Sequence, residues 1–208
     1  MYLPPSFAAK DPGMARELMR SHPFASLISN DDEGVPFVTH LPLHLLEEEG
    51  GGLVLLGHVA RPNPHAAYLR ARPQAVVTFL GPQAYMTPRV YPDLARVPTW
   101  NYLAVHATVQ AREVSGFGDK DRLLKHLIHD HDPAYAAQWR ALDEDFQQRL
   151  MQGIAAFEFR VTALQCKIKL NQHRPEAHAA MLAAYDGGNA DERALAGWMR
   201  RLGLGEAS

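Results

Sequence analysis

Four short segments of the chain combine residue types that can hold an anion or a flat ring. In Thr39-His40-Leu41-Pro42, a period of two sets His40 and His44 on one face of a strand and Leu41, Leu43 and Leu45 on the other. Gly57-His58-Val59-Ala60-Arg61-Pro62-Asn63-Pro64 ends a strand and enters a helix. Arg61 therefore stands at a helix N-terminus, where backbone N–H groups and a guanidinium together suit a phosphate. A solvated Arg beside a capped helix gives the same pattern. Val97-Pro98-Thr99-Trp100-Asn101-Tyr102 sets aromatic rings beside polar handles, which suits a planar ring or a buried dimer contact equally. In Lys167-Ile168-Lys169-Leu170-Asn171-Gln172-His173-Arg174, two lysines leave one face of a strand end and Arg174 follows at once. That is the second half of an anion site or a solvated basic strand end.

Other chemistries find less support. His126, His129 and His131 lie close to Asp130 and Asp132, but His131 points away from the face shared by the first two, and Pro133 ends the helix. Histidines at a helix C-terminus are favourable without a metal, and no metal is expected. Dinucleotide, P-loop, zinc-protease and nucleophile-elbow motifs are all missing. Cys166 is the one cysteine, so no internal disulfide and no multi-cysteine zinc site can form. A net charge of −2 argues against whole-molecule attraction to nucleic acid, although 16 of the 21 cations are the fork-forming Arg. No secretory signal pattern opens the chain, and no apolar run approaches the roughly 18 residues of a membrane span, so a cytoplasmic protein without a membrane partner is expected.

The elements that must position these segments follow from periodicity and punctuation. Asp11-Pro12 opens a helix to about Met19, and residues 24–29 form a strand. A second strand runs from Val35 to Leu45, and Leu53 to His58 returns. Asn63-Pro64 caps a helix over 64–71; residues 75–80 are a strand stopped by Gly81-Pro82. Nine of the 15 prolines fall between Pro36 and Pro98, which makes 83–101 a long shaped loop. Tyr102 to Val114 alternates as a strand; 119–152 is helical, with Asp143 as an N-cap. Ile154 to Leu170 is a long strand whose phase slips near Ala163, implying a bulge or bend. The chain is helical after Pro175, with Asn189 and Glu192 as a capping box and Arg193, Arg200 and Arg201 among acidic neighbours. This order points to an α+β protein on a small antiparallel barrel, with residues 1–174 as the main domain and 175–208 as C-terminal helices.

The four segments, with Met1-Tyr2-Leu3-Pro4 and Phe7, Pro23-Phe24-Ala25, and Gly81-Pro82 with Tyr85 and Pro88, occur in the order of one family. The chain resembles the PaiB-like proteins, described as FMN-binding negative transcriptional regulators. The resemblance implies an FMN-binding split β-barrel with peripheral helices, a helical insertion at about 119–152, and a homodimer with FMN at the subunit interface. It implies a cofactor site drawn from Thr39, His40, Leu41, His58, Ala60, Arg61, Asn63, Trp100, Asn101, Lys169, Gln172 and Arg174. Arg61, with Arg174 or Lys169, would take the phosphate; Thr39 and His40 would line the ribityl chain or ring edge. The last motif usually reads K-L-S-Q-N-R, so Asn171 and His173 depart from it.

Three outputs stay open at this level. A flavin-binding regulator agrees with the family, yet no helix-turn-helix or basic recognition helix stands out for direct DNA binding. A flavin-dependent oxidoreductase would draw on His40, His58 or His106 as acid–base groups. Haem binding through one of the 11 histidines is the third.

Overall fold

The computed structural model describes residues 1–93 and 95–205; Glu206, one of the acidic neighbours of the C-terminal arginines, lies outside them. In chain order the elements are α1 (Pro12–Ser21), β1 (Phe24–Asn30), β2 (Pro36–Pro42), β3 (His44–Glu47), β4 (Leu53–Ala60), α2 (His65–Ala71), β5 (Gln74–Met86), β6 (Thr99–Val114), α3 (Phe117–His131), α4 (Tyr135–Ala141), α5 (Glu144–Gln152), β7 (Ile154–Lys169), α6 (His178–Asp186) and α7 (Ala190–Arg201). All seven strands belong to one sheet in the order β2-β1-β5-β6-β7-β4-β3. The chain forms two compact units. One, the Arg61 unit, holds residues 19–79 and 106–164; the other, the Trp100 unit, holds 1–18, 80–105 and 165–205. Strands β5, β6 and β7 each run from one unit into the other.

In the Arg61 unit, β1 buries every second residue, with Ala25, Leu27 and Ser29 inward. Strand β4 is buried almost throughout, from Leu53 to Val59, because both of its faces are covered. One cover is α3, whose Leu123 and Leu127 pack on Val54, Leu56, Val114 and Ala156. Phe157 and Phe159 are fully buried, each removing an aromatic side chain from water for about 2–3 kcal/mol.

The strand expected over 35–45 divides at Leu43. Its first part pairs antiparallel with β1 (Phe24 opposite Pro42); its second pairs with β4 (His44 opposite Leu56). Leu43 is where the chain changes partner: its N–H turns to the Pro23 carbonyl at 3.0 Å. Its side chain fills the space over Gly57, where a Cβ would stand 2.4 Å from Leu43 Cδ2. Neighbouring segments thus become opposite edges of one sheet, which curls that sheet within the unit. Val35, expected on the apolar face, precedes β2 and is exposed.

In the Trp100 unit the breaker pair Gly81-Pro82 does not stop β5, which continues to Met86. Strand β5 pairs with β1 over Val76–Thr78, so Pro82 lies past that pairing, where a missing N–H costs no bond to β1. Gly81 is needed there because Leu18 Cδ1 would lie 2.5 Å from its Cβ. The loop before β6 is correspondingly shorter than expected, and β6 begins at Thr99. Strand β7 is unbroken from Ile154 to Lys169, and its burial alternation lapses over 161–166, where it passes between units. The expected caps are present: Asp143 accepts from the Phe146 N–H, and Asn189 and Glu192 form a reciprocal box. Among the described residues no helix is long and apolar enough to cross a membrane.

Candidate functional site

Strand β4 delivers Arg61 to the carboxyl end of α5. The Arg61 N–H donates to the Gly153 carbonyl at 2.8 Å. Its guanidinium donates from Nε to the Gln152 carbonyl and from Nη2 to the Ile154 carbonyl at 2.9 Å. Lys120, on α3, donates from Nζ to the carbonyls of Met151 and Ile154, both at 3.2 Å. The carbonyls of Met151 and Gln152 at the end of α5, and of Gly153 and Ile154 just beyond it, thus accept from two residues, Arg61 and Lys120. Arg61 is exposed and keeps Nη1 outside these bonds. Lys120 is buried; that burial, and then the charge of Arg61, pull its pKa below the ordinary lysine value. Nearby Glu113 is held by Arg70 at 2.6 and 2.7 Å, and Arg70 first, then Arg61 and Lys120, lower its pKa.

A polar relay braces the same loop from the other side of the sequence motif. Asn63 Nδ2 donates to Thr39 Oγ1 at 3.3 Å, and Thr39 Oγ1 lies 2.8 Å from His65 Nδ1. His65 Nε2 lies 2.9 Å from Ser29 Oγ. With Thr39 accepting from Asn63, its hydroxyl is free to donate to Nδ1, and Nε2–H then donates to Ser29. Burial pushes the His65 pKa down to about 4, so the ring is neutral at pH 7. Asn63 Oδ1 also accepts from the His65 N–H at 3.0 Å, starting α2. His58, one turn of the strand earlier, is half-buried with its pKa lowered by burial, and its Nδ1 is buried with no partner among the described residues. His40 is exposed, 3.0 Å from Ser26 Oγ and beside the Phe24 ring. The Leu41 side chain belongs to the core, so the strand offers only its backbone there. Ala60 ends β4, and its carbonyl accepts from the Asn63 N–H at 2.9 Å. Thr39, Asn63 and Arg61 are thus fixed to one loop by separate bonds.

The remaining expected residues lie in the Trp100 unit. Trp100 is half exposed and meets Tyr85 edge-on at 6.4 Å. Asn101 is fully buried: Nδ2 donates to the Tyr185 hydroxyl at 2.9 Å, and Oδ1 has no partner. It ties β6 to α6 and has no exposed surface. Lys169 Nζ donates to Thr99 Oγ1 at 2.6 Å, with the Tyr102 ring alongside. Gln172 closes on its own turn, accepting from the Leu170 N–H at 2.9 Å and donating to the Ile168 carbonyl. Arg174 is 3.8 Å from Glu176 and otherwise faces solvent. Asn171 has φ 61°, and its amide meets the Tyr91 hydroxyl at 3.0 Å while its carbonyl accepts from His178 Nε2, also at 3.0 Å.

The histidine cluster resolves differently from a ligand set. His126 stacks on His44 of β3 at 4.6 Å, and His44 Nδ1 lies 2.5 Å from Asp130 Oδ2. Among the described residues no three potential ligands converge as a metal site.

Sequence reasoning missed His65 and Lys120. Both carried a signal. Lys120 shares the inward stripe of α3 with Leu123 and Leu127, at i, i+3 and i+7, and His65 shares that of α2 with Ala66 and Leu69. A polar residue on an apolar stripe marks a buried polar contact.

Residues 1–163 match the family described as "Putative FMN-binding domain". The protease synthase and sporulation protein PAI 2 of Bacillus subtilis is 29% identical over 184 residues, 85% of this chain and 84% of that protein. Among solved structures, the flavocytochrome Anf3 from Azotobacter vinelandii aligns with a TM-score of 0.64 at 16% identity, over 78% of this chain and 69% of that one. The FAD and heme binding protein from Mycobacterium smegmatis aligns with a TM-score of 0.56 at 15% identity, over 77% and 72%. At these identities the structures speak for the α+β fold alone.

Proposed function

The chain belongs to the PaiB-like family of FMN-binding domains, and from that premise we propose that it is a cytoplasmic, homodimeric flavin-binding regulatory protein that seats the FMN phosphate on the Arg61 loop. The observation that carries this reading is the state of Arg61. Its guanidinium is oriented by two main-chain carbonyls yet exposed, with donors left over for an anion. The Nδ1 of His58, three residues earlier, is buried with no partner among the described residues. FMN supplies reversible one- and two-electron chemistry when bound. The chain's own part is binding and orientation. Arg61 offers the charge, the Thr39–His65–Ser29 relay fixes the loop, and His40 and backbone groups of β2 offer contacts to the ribityl chain or ring edge.

Exposed apolar side chains support the dimer: Phe24 and Val38 in one unit, and Leu80, Tyr85, Val97 and Trp100 in the other. Light scattering of the purified protein tests it. Burial lowers the pKa of both His58 and His106 below the ordinary histidine value. Direct DNA contact through α7 finds little support: Arg193 donates to the Gly188 carbonyl, Arg200 pairs with Asp186, and Arg201 pairs with Glu17 and stacks on Trp198.

FMN titration followed by flavin fluorescence tests the central claim. Arg61→Ala is expected to weaken FMN at least about tenfold, the loss of one charge-assisted contact. Unchanged affinity would remove Arg61 from the site. Rapid bleaching of the bound flavin by NAD(P)H would move the reading to an oxidoreductase.

A further inference from the structure

Two cations meeting on one carbonyl oxygen need an explanation. Arg61 and Lys120 both donate to Ile154, and Lys120 does so from a buried position where burial and Arg61 disfavour its charge. Main-chain carbonyls carry partial charges only, so they balance neither cation in full. Glu113, the carboxylate whose charge acts on Lys120, is already committed to Arg70 in a two-bond pair. Arg70, Arg61 and Lys120 all act on that one carboxylate. A cavity of about 240 Å³ opens beside Lys120, bordered also by Ser115, Gln148 and Gln152, the residue whose carbonyl Arg61 holds. Phe117 and Met151 complete its lining, and the Lys120 ammonium, with the neighbouring amides and hydroxyl, offers the donors that a phosphate monoester dianion needs.

We propose that Lys120 is the second cation of the phosphate site. The helical insertion thereby contributes directly to flavin recognition, and the Arg61–Lys120 pair selects phosphorylated over unphosphorylated flavin. This rests on the reading that Arg61 holds the FMN phosphate. It gives α3 a role beyond packing: its inward stripe carries two leucines for the core and one lysine for the ligand.

The experiment compares FMN with riboflavin, which lacks only the phosphate, and uses inorganic phosphate as competitor. The native protein is expected to prefer FMN at least about tenfold, with phosphate displacing FMN. Lys120→Met should bring that preference to within about threefold, leave riboflavin affinity within about twofold, and make FMN insensitive to phosphate; Lys120→Arg should keep the preference. Equal weakening of both flavins by Lys120→Met would overturn the proposal, because it would make the lysine only a cap for α5. A preference kept in Lys120→Met but lost in Arg61→Ala would also overturn it, while sparing the Arg61 reading. No preference in the native protein would overturn both. A measurement on the native protein stands independently of whether the variants fold. The FMN-to-riboflavin ratio should fall as pH rises toward the lysine range, since Arg61 alone does not deprotonate there. A flat ratio up to pH 10.5 would count against Lys120.

Discussion

In the Arg61 loop, polar side chains reach back onto other elements: Arg61 and Lys120 onto α5, Asn63 onto Thr39, His65 onto Ser29. In the turn over residues 169–174, Gln172 closes on Leu170 and Ile168, while Lys169 and Asn171 reach Thr99 and Tyr91. Both segments read alike in the sequence, as a strand end with cations and amides. The difference is that Arg61 is braced yet exposed with a donor to spare, whereas the amides of Gln172 and Asn171 are used to shape and anchor the chain. The departure from the family motif fits this division. Asn171 occupies a left-handed position (φ 61°), which Asn adopts more readily than Ser, and its amide and carbonyl anchor Tyr91 and His178. The motif's centre here is a joint for α6.

Three measurements would break or sharpen that contrast. The largest effect belongs to His65. Its folded pKa of about 4 lies below the ordinary 6.5, so the stability linked to its neutral form is complete above pH 6.5 and is lost as pH falls toward 4. The loss should approach about 3 kcal/mol, and His65→Gln should flatten it; urea midpoints at several pH values report both. A variant as acid-sensitive as the native protein would show that the relay does not brace the loop. Next, Asn171→Ala should cost about 2–3 kcal/mol, from a strained backbone and the lost Tyr91 contact, and Asn171→Gly should recover the backbone share. Neither should change the FMN-to-riboflavin ratio; if either does, the turn is part of the site and the contrast fails. The smallest effect is expected at Arg174, whose exposed, long contact to Glu176 predicts a change within about 0.5 kcal/mol in Arg174→Ala. Thermal melts suffice to read it.

The fold was largely legible because its punctuation is local. Asp143, Asn189 with Glu192, and Asn63-Pro64 mark helix starts through bonds made within four residues. Gly81-Pro82 misled because a breaker pair stops a strand only where its N–H is needed, and the sheet decides that. The division at Leu43 was invisible for the same reason: alternation continues across it while the partner strand changes. At the candidate site, Arg61 was legible by its motif. Its brace was not, since the carbonyls it holds belong to a helix end far along the chain. Asn101 read as a polar handle beside Trp100, but a strand's alternate face carried it inward to Tyr185.

The Arg61–Ile154 bond spans 93 residues and the bond to Gln152 spans 91. That separation sets an order of assembly. A chain made from its N-terminus presents the Arg61 loop, and even Lys120, before the carbonyls that orient them exist. At ordinary synthesis rates the interval is roughly 5–20 s. Throughout it the G-H-V-A-R segment is an unbraced loop, and any chain cut short before residue 154 keeps it so. Should the Arg61 loop seat flavin as proposed, its capture is a late event in the life of the nascent chain, timed by the end of the helical insertion.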